Sequence, residues 1–230
     1  GLSGTPTNDD VGDHSVVLMV TDNSGATDEQ SFMINVSNTN DAPFFTSVPI
    51  EEATEDAEYS YTAAASDIDV GDNLTYAAPT LPGWLAFDVA TQILSGTPLN
   101  DDVGDHFVVL TVNDGTEIVN QEFTITVSNT NDAPFFTSVP IEEATEDAEY
   151  SYTVTAEDVD MDADLFILGE YPNWLTLVDN GDGTAELSGT PTNDDVGGHS
   201  IVLTVSDGFV IENQEFTITV SNTNDAPFFT

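Results

Sequence analysis

The heptapeptide Asn-Asp-Ala-Pro-Phe-Phe-Thr begins at Asn40, at Asn131 and at Asn224, with spacings of 91 and 93 residues. A second marker, Leu-Ser-Gly-Thr-Pro, begins at Leu2, Leu94 and Leu187, spaced by 92 and 93. Such a fixed period identifies a tandem array of one small domain rather than a single fold of 230 residues. Two whole repeats, 40–130 and 131–223, follow residues 1–39, which match only the second half of a repeat. Residues 224–230 open another. A repeat of this length is large enough for its own core, though near the small end. Residues 36–62 and 127–153 are identical at all 27 positions, as expected of an array that grew by duplication. The chain has no initiator Met, signal peptide or apolar run long enough for a membrane helix, so it reads as a stretch of a longer polypeptide.

Within a repeat the apolar residues alternate with period two. His106–Asp114 places Val108, Leu110 and Val112 on one face; Gln121–Asn129 places Phe123, Ile125 and Val127 on one face and Thr124, Thr126 and Ser128 on the other. Tyr59 and Tyr61 share a face, and Asn73–Tyr76 reads as a further short strand. Turn signals lie between them at Gly71-Asp72, Pro82-Gly83, Gly96-Thr97-Pro98 and Asp114-Gly115. Six or seven short strands per repeat predict an all-β fold of tandem antiparallel β-sandwiches. Residues 14–21 and 30–37 supply two strands at most, a marginal element by itself. The half repeat is therefore expected to be poorly ordered, paired with a neighbouring chain, or part of a continuous filament.

The chain carries 43 acidic residues and no Lys or Arg. A nucleic-acid partner is excluded, because phosphate binding needs cationic side chains, and so is an anionic membrane surface. Disorder does not fit 39% apolar residues and 13 Phe. Cysteine is absent, so neither disulfides nor thiolate metal sites hold the fold. Two carboxylates about 4 Å apart repel by about 4 kcal/mol at an effective dielectric near 20. Without fixed cations, clustered carboxylates must stay apart, take up protons or bind a dissolved cation. A small domain without disulfides often uses a metal. Adaptation of an acidic surface to high salt would explain the charge, though not its clustering.

The acidic residues recur in five places. In the second whole repeat these are Asn129 to Asp132 at the junction, Asp158 and Asp160 in a turn, Asp207 after a long strand, the Asn193-Asp194-Asp195 loop, and Glu146-Asp147. In the first they are Asn38 to Asp41, Asp67 and Asp69, Asp114, the Asn100-Asp101-Asp102 loop, and Glu55-Asp56. In a sandwich, loops gather at two ends. The junction, the Asp-x-Asp turn and the later Asp can meet at the top of one domain, and the Asn-Asp-Asp loop and Glu at the bottom of the domain before it. The all-oxygen set suits Ca²⁺, which takes six to eight oxygens, better than Mg²⁺ or zinc. His14, His106 and His199 stand one repeat apart and read as structural. Trp84 and Trp174 read as core anchors, the other reading being a sugar-stacking platform.

The Asn-Thr-Asn-Asp-Ala-Pro segments and the Asp67-Ile68-Asp69 and Asp158-Val159-Asp160 turns resemble the linker and Asp-x-Asp motifs of cadherins. The combination around Trp84, Leu94–Pro98, Val103-Gly104 and Asn113–Gly115 resembles the cadherin-like, dystroglycan-type or putative-Ig repeats of large bacterial surface and adhesin proteins. This resemblance covers the whole chain. It implies Ca²⁺ ligands at Asn40, Asp41, Asp67, Asp69 and Asp114, and at Asn131, Asp132, Asp158, Asp160 and Asp207. Asn38 and Asn129 stand where cadherins usually have Asp. Asp9, Asp10, Asp101, Asp102 and Asp194 lie in the loop comparable to a cadherin motif that is missing here. Glu55 and Glu146 match the cadherin base Glu approximately. Asn222, Asn224 and Asp225 repeat the junction.

The expected function is a Ca²⁺-rigidified spacer: an extender of a secreted or cell-surface adhesin, or of an extracellular filament. Its partners would be calcium ions, neighbouring repeats and like chains. The alternative is a module binding polysaccharide or mediating homotypic cell–cell adhesion. An enzyme is not expected: the sequence shows no Ser-His-Asp spacing, Cys nucleophile or phosphate loop, and repetition suits a spacer.

Overall fold

A computed structural model describes residues 1–160 and 163–226. Residues 227–230, the end of the stretch read as opening a further repeat, lie outside the described residues. The chain divides into two compact units, Gly1–Ser128 and Asn129–Thr230. Among the described residues the regular structure is strand, with three single-turn 3₁₀ helices at Asn8–Asp10, Asn100–Asp102 and Asn193–Asp195.

In the first unit, β1 (Gly12–Thr21) and β2 (Thr27–Val36) form an antiparallel hairpin. Nine strands follow: β3 (Phe44–Phe45), β4 (Glu52–Thr54), β5 (Tyr59–Thr62), β6 (Ala65–Ser66), β7 (Thr75–Thr80), β8 (Leu85–Asp88), β9 (Ile93–Gly96), β10 (Gly104–Asn113) and β11 (Ile118–Ser128). One sheet has the order β4-β11-β10-β7, another β5-β9-β8, and β3 pairs with β6. The core lies between the sheets. Val108, Leu110, Phe123 and Ile125 from one sheet bury against Tyr59, Tyr61 and Leu94 from the other. Alternation explains the strand faces: in β11 Phe123, Ile125 and Val127 are buried and Glu122, Thr124 and Thr126 exposed.

One pairing in each whole repeat departs from the antiparallel expectation. β4 runs parallel to β11, with Ala53 opposite Val127. The segment before β5 is short, so it returns along the sheet edge without a hairpin. At the other edge, β7 contains Pro79, and its register on β10 shifts between Val109 and Thr111. Proline lacks the N–H that a ladder needs and is tolerated at edges and irregularities.

The second unit contains β12 (Phe135–Phe136), β13 (Glu143–Thr145), β14 (Tyr150–Glu157), β15 (Phe166–Glu170), β16 (Leu175–Asp179), β17 (Thr184–Gly189), β18 (Gly197–Ser206) and β19 (Ile211–Ser221). Its sheets are β13-β19-β18-β15 and β12-β14-β17-β16. Where the first repeat breaks β5 from β6 at Ala63 and Ala64, the second has Val154 and Thr155 and one continuous strand. Branched side chains favour the pleated conformation more than alanine does.

Each tryptophan packs on its core. Trp84 meets Tyr59 and His106 edge to face, both at 5.8 Å, and Trp174 meets Tyr150 at 5.9 Å and His199 at 5.8 Å. The histidine is held by its own loop, with Nε2 of His106 2.6 Å from the Asp102 carbonyl. A buried tyrosine ties the sheets together: Tyr61 Oη donates to Gln121 Oε1 at 2.8 Å, and Gln121 Nε2 donates to the Ser47 carbonyl at 3.0 Å.

Candidate metal centre

In the first unit, three loops place their carboxylates at one end of the sandwich, next to the 3₁₀ turn of the half repeat. The junction turn is fixed by Asn40, whose amide donates to the Asp41 carbonyl and to Asp114 Oδ2, both at 3.0 Å. The backbone N–H of Asp41 donates to Asp69 Oδ2 at 2.7 Å. Asp67 Oδ1 accepts from the Asp69 N–H at 3.0 Å, the local closure that Asp-x-Asp spacing favours. Asn8 donates to Asp69 Oδ1 at 3.2 Å, so the half repeat reaches the same group.

Asp67, Asp69 and Asp72 bring one carboxylate oxygen each within 4.8 Å of the others. Asp69 is buried at 5% exposure. The Asp41 N–H holds its pKa below the ordinary value, helped by the Asn8 and Asn38 amides and opposed by burial and by Asp114. Asp72 goes the other way: burial raises it first, and Asp67, Asp69 and Asp114 add to that. Asp114 is lowered, chiefly by the Glu117 N–H and then by Asn40. Asp67 Oδ2 is buried without a hydrogen-bond donor among the described residues. A buried carboxylate oxygen without a donor, beside two more carboxylates in a chain with no Lys or Arg, is a position that proton uptake or a hard cation would relieve.

The second unit repeats this geometry. Asn131 donates to Asp207 Oδ2 at 2.8 Å, the Asp132 N–H to Asp160 Oδ2 at 2.8 Å, and the Asp160 N–H to Asp158 Oδ1 at 2.9 Å. Asp158 Oδ2 and Asp160 Oδ1 are buried without a donor among the described residues. The Val210 N–H lowers Asp207. Where the first repeat has Asp72 the second has Ala163.

At its far end the second unit gathers Glu146, Asp147 and Asp225, again with carboxylate oxygens within 4.8 Å. Glu146 is buried at 2% exposure and accepts from the Thr223 N–H at 3.1 Å. Asn193 donates to Asp225 Oδ2 at 2.5 Å. Asn222 and Asn224 donate to the carbonyls of Thr223 and Asp225, which shapes the turn. Glu55, the counterpart of Glu146, is also buried, and its N–H donates to the Ser128 carbonyl.

The Asn-Asp-Asp loops place their residues differently from the sequence expectation. Asp10 Oδ2 accepts from the N–H of Thr7, Asp102 Oδ2 from Leu99 and Asp195 Oδ2 from Thr192, so these carboxylates close their own turns. Asp10 and Asp195 are lowered mainly by that bond. Asp9, Asp101 and Asp194 are exposed. The loop reaches the carboxylates through its leading Asn, seen at Asn8 and Asn193. Asn38 and Asn129 are exposed. Asp72 and Asp147 complete their clusters without having been singled out as ligands. Asp147 sits beside the expected Glu146; Asp72 has no periodic counterpart that would have marked it.

Tandem sandwiches with parallel-paired edge strands and carboxylate-rich ends define a class of cadherin-like, immunoglobulin-like repeat. The sequence matches the family described as Putative Ig domain over residues 42–128 and again over 133–221, and the chain belongs to that family. No curated protein matches it. Among solved structures it is similar to repeats EC1-2 of human protocadherin-24, at 19% identity and TM-score 0.52, covering 80% of this chain and 100% of that one; this likeness is one of fold. An endo-fucoidan hydrolase of glycoside hydrolase family 107 aligns at 28% identity and TM-score 0.39 over 96% of this chain. The chain spans 35% of that hydrolase's length. A titin I-band fragment aligns at 12% identity and TM-score 0.43, covering 94% of this chain and 76% of that one.

Proposed function

We propose that the chain is a structural spacer whose repeats are held in line by Ca²⁺, as an extender of a secreted or cell-surface protein. The observation that carries the reading is the group Asp67, Asp69 and Asp72, together with the buried, donorless Asp67 Oδ2. Asp67, Asp69 and Asp72 would hold the ion, with Asp114 and the junction carbonyls close by. A divalent cation bound there neutralises carboxylates that no side chain neutralises. It also ties the 3₁₀ turn of one repeat, through Asn8 on Asp69, to the loops of the next. The linker would then lose its freedom only where calcium is plentiful, since extracellular modules of this kind bind with Kd near ~10⁻⁴–10⁻³ M.

Thermal melts and small-angle scattering on the 230-residue chain test the reading, in millimolar Ca²⁺, in chelator, and in Mg²⁺. Calcium is expected to raise the melting temperature and lengthen and narrow the distance distribution, with Mg²⁺ doing much less. Scattering profiles that superimpose with and without chelator reject the spacer mechanism.

A further inference from the structure

The outer face of the sheet β13-β19-β18-β15 carries an apolar patch that the first repeat lacks. Phe166 of β15 stands opposite Ser206 of β18, and Ser206 opposite Ile211 of β19, so the three form one row across the sheet. Leu168, Thr204 and Asn213 form the next row. Directly opposed residues share a face, and Phe166, Leu168 and Ile211 are 51%, 64% and 62% exposed. Phe209, at 85%, sits in the turn between β18 and β19. In the first repeat the same rows read Thr75, Asn113, Ile118 and Ala77, Thr111, Asn120. The turn is built alike in both repeats: Asp114 Oδ1 accepts from the N–H groups of Thr116 and Glu117, and Asp207 Oδ1 from those of Phe209 and Val210. So Phe166, Leu168, Phe209 and Val210 stand where the first repeat has Thr75, Ala77, Thr116 and Glu117.

The patch is a face and not an open edge. Ile167, between the two exposed side chains of β15, donates its N–H to Asp179 Oδ2 at 3.2 Å. A carboxylate on the outer edge of β15 works against an added strand. The face is also poorly suited to a sugar. Ser206 Oγ donates to the Val210 carbonyl at 3.0 Å and accepts from the Gly208 N–H at 3.1 Å, and Thr204 Oγ1 donates to Asn213 Oδ1 at 2.9 Å. The polar groups among the apolar ones are thus engaged with the chain itself, and phenylalanine adds no polar handle. A cationic partner has nothing to pair with in these two rows, which hold no carboxylate. What fits is another uncharged, apolar face. Four side chains this exposed amount to on the order of 500 Å². Two such faces pressed together bury about 1,000 Å², the lower bound for a specific interface. With a net charge of −43 on each chain, rows free of charge are where two chains can touch.

We infer that this face joins two copies of the chain, with Phe166, Leu168, Phe209 and Ile211 of one copy packed on the same residues of the other. A face that meets itself closes into a two-fold dimer. The contact is weak, because its area is small and like charge opposes the approach. Salt screens that repulsion, over about 8 Å at physiological ionic strength, so the dimer strengthens as salt is added. The inference does not depend on metal at the junctions.

Sedimentation equilibrium of the whole chain tests it, in chelator, from about 10 to about 500 µM protein and in about 0.1 M and about 0.5 M NaCl. Working in chelator separates its failure from failure of the calcium reading. The average mass is expected to rise from 24.5 kDa toward twice that value, and to do so at lower protein concentration in the higher salt. A variant with Phe166→Thr, Leu168→Ala and Phe209→Thr, which puts the first repeat's residues in place, is expected to stay at 24.5 kDa throughout. Phe209→Thr alone changes no strand residue and is expected to weaken the dimer about tenfold, which keeps the test sound should the triple variant fold poorly. The proposal is overturned if the wild type stays at 24.5 kDa at every concentration in the higher salt, if Phe209→Thr associates as the wild type does, or if association weakens with salt. Hydroxyl-radical footprinting of Phe166 and Phe209 reports other occupants. Protection that does not depend on concentration assigns the face to the chain's own first unit, and protection brought by added cellohexaose assigns it to a sugar; either overturns the proposal.

Discussion

The backbone N–H of Asp41 lies 2.7 Å from Oδ2 of Asp69, so the linker is anchored to the carboxylate that also receives Asn8. Both oxygens of Asp69 thus accept hydrogen bonds, and its charge is what a cation would use. Asp69→Asn keeps an oxygen for Asp41 and removes the charge. A site filled to ten times its Kd adds about 1.4 kcal/mol, on the order of 5–10 °C for a domain of this size. Asp69→Asn is expected to remove most of the calcium-dependent gain of the first unit and also to lower its stability in chelator, since the ionised carboxylate is the form its hydrogen bonds favour and Asn8 loses its acceptor. Calorimetry with and without Ca²⁺ decides it; a gain left intact counts against a metal on Asp69.

Asp72 predicts an effect of opposite sign in the two conditions. Burial and the charges of Asp67, Asp69 and Asp114 raise its pKa, so without metal its ionised form weakens the fold. That contribution is most favourable below the ordinary carboxylate range and is lost as pH rises through the raised value. Asp69 and Asp114 are lowered, so their contribution is present above the unfolded pKa and lost as pH falls through the folded ones. Asp72→Asn should therefore raise the melting temperature at neutral pH in chelator and reduce the gain from calcium. A variant that melts lower than wild type in chelator, or that keeps the whole gain from calcium, would contradict this.

The period, the strand faces of Val108–Val112 and Phe123–Val127, and the pairing of junction, Asp-x-Asp turn and Asp114 were all legible in the sequence, because alternation and turn chemistry act locally. The Asn-Asp-Asp loops were not. Asp serves equally to cap a turn and to face a cation, and only the fold shows that Asp10, Asp102 and Asp195 close their own turns while Asn8 and Asn193 reach outward. Asp72 was hidden because Ala163 interrupts the repetition. The parallel edge pairing of β4 was hidden because a three-residue strand has no alternation to speak of.

Gly96 and Gly4 occupy the same place in their repeats and should respond differently to a methyl group. A Cβ on Gly96 would lie 2.0 Å from the Trp84 carbonyl and 3.0 Å from its carbonyl carbon, both backbone atoms that cannot step aside alone. Gly96→Ala is expected to cost the first unit about 3 kcal/mol, the upper end of what forced overpacking usually costs. Gly4→Ala meets nothing within 4 Å and should stay within about ±0.5 kcal/mol. Urea melts of the two variants compare them directly; equal costs would mean that the tryptophan backbone does not hold Gly96 as described.

Tyr59 sets an alkaline limit. Its hydroxyl donates to the Ile50 carbonyl at 2.8 Å, and burial, with Tyr61 adding to it, pushes its pKa up to about 12. Tyr150 is raised for the same reason. An acid whose folded pKa exceeds its unfolded value contributes stability that is whole below the unfolded value, near 10, and fades as pH climbs toward 12. Tyr59→Phe loses the hydrogen bond, at a cost of about 1 kcal/mol at neutral pH, and removes the ionisation. The stability gap between wild type and Tyr59→Phe should therefore narrow above pH 10, while the phenolate absorbance of wild type should show a titration near 12 that the variant lacks. Curves that stay parallel from neutral to strongly alkaline pH would show that Tyr59 ionises without sensing the core.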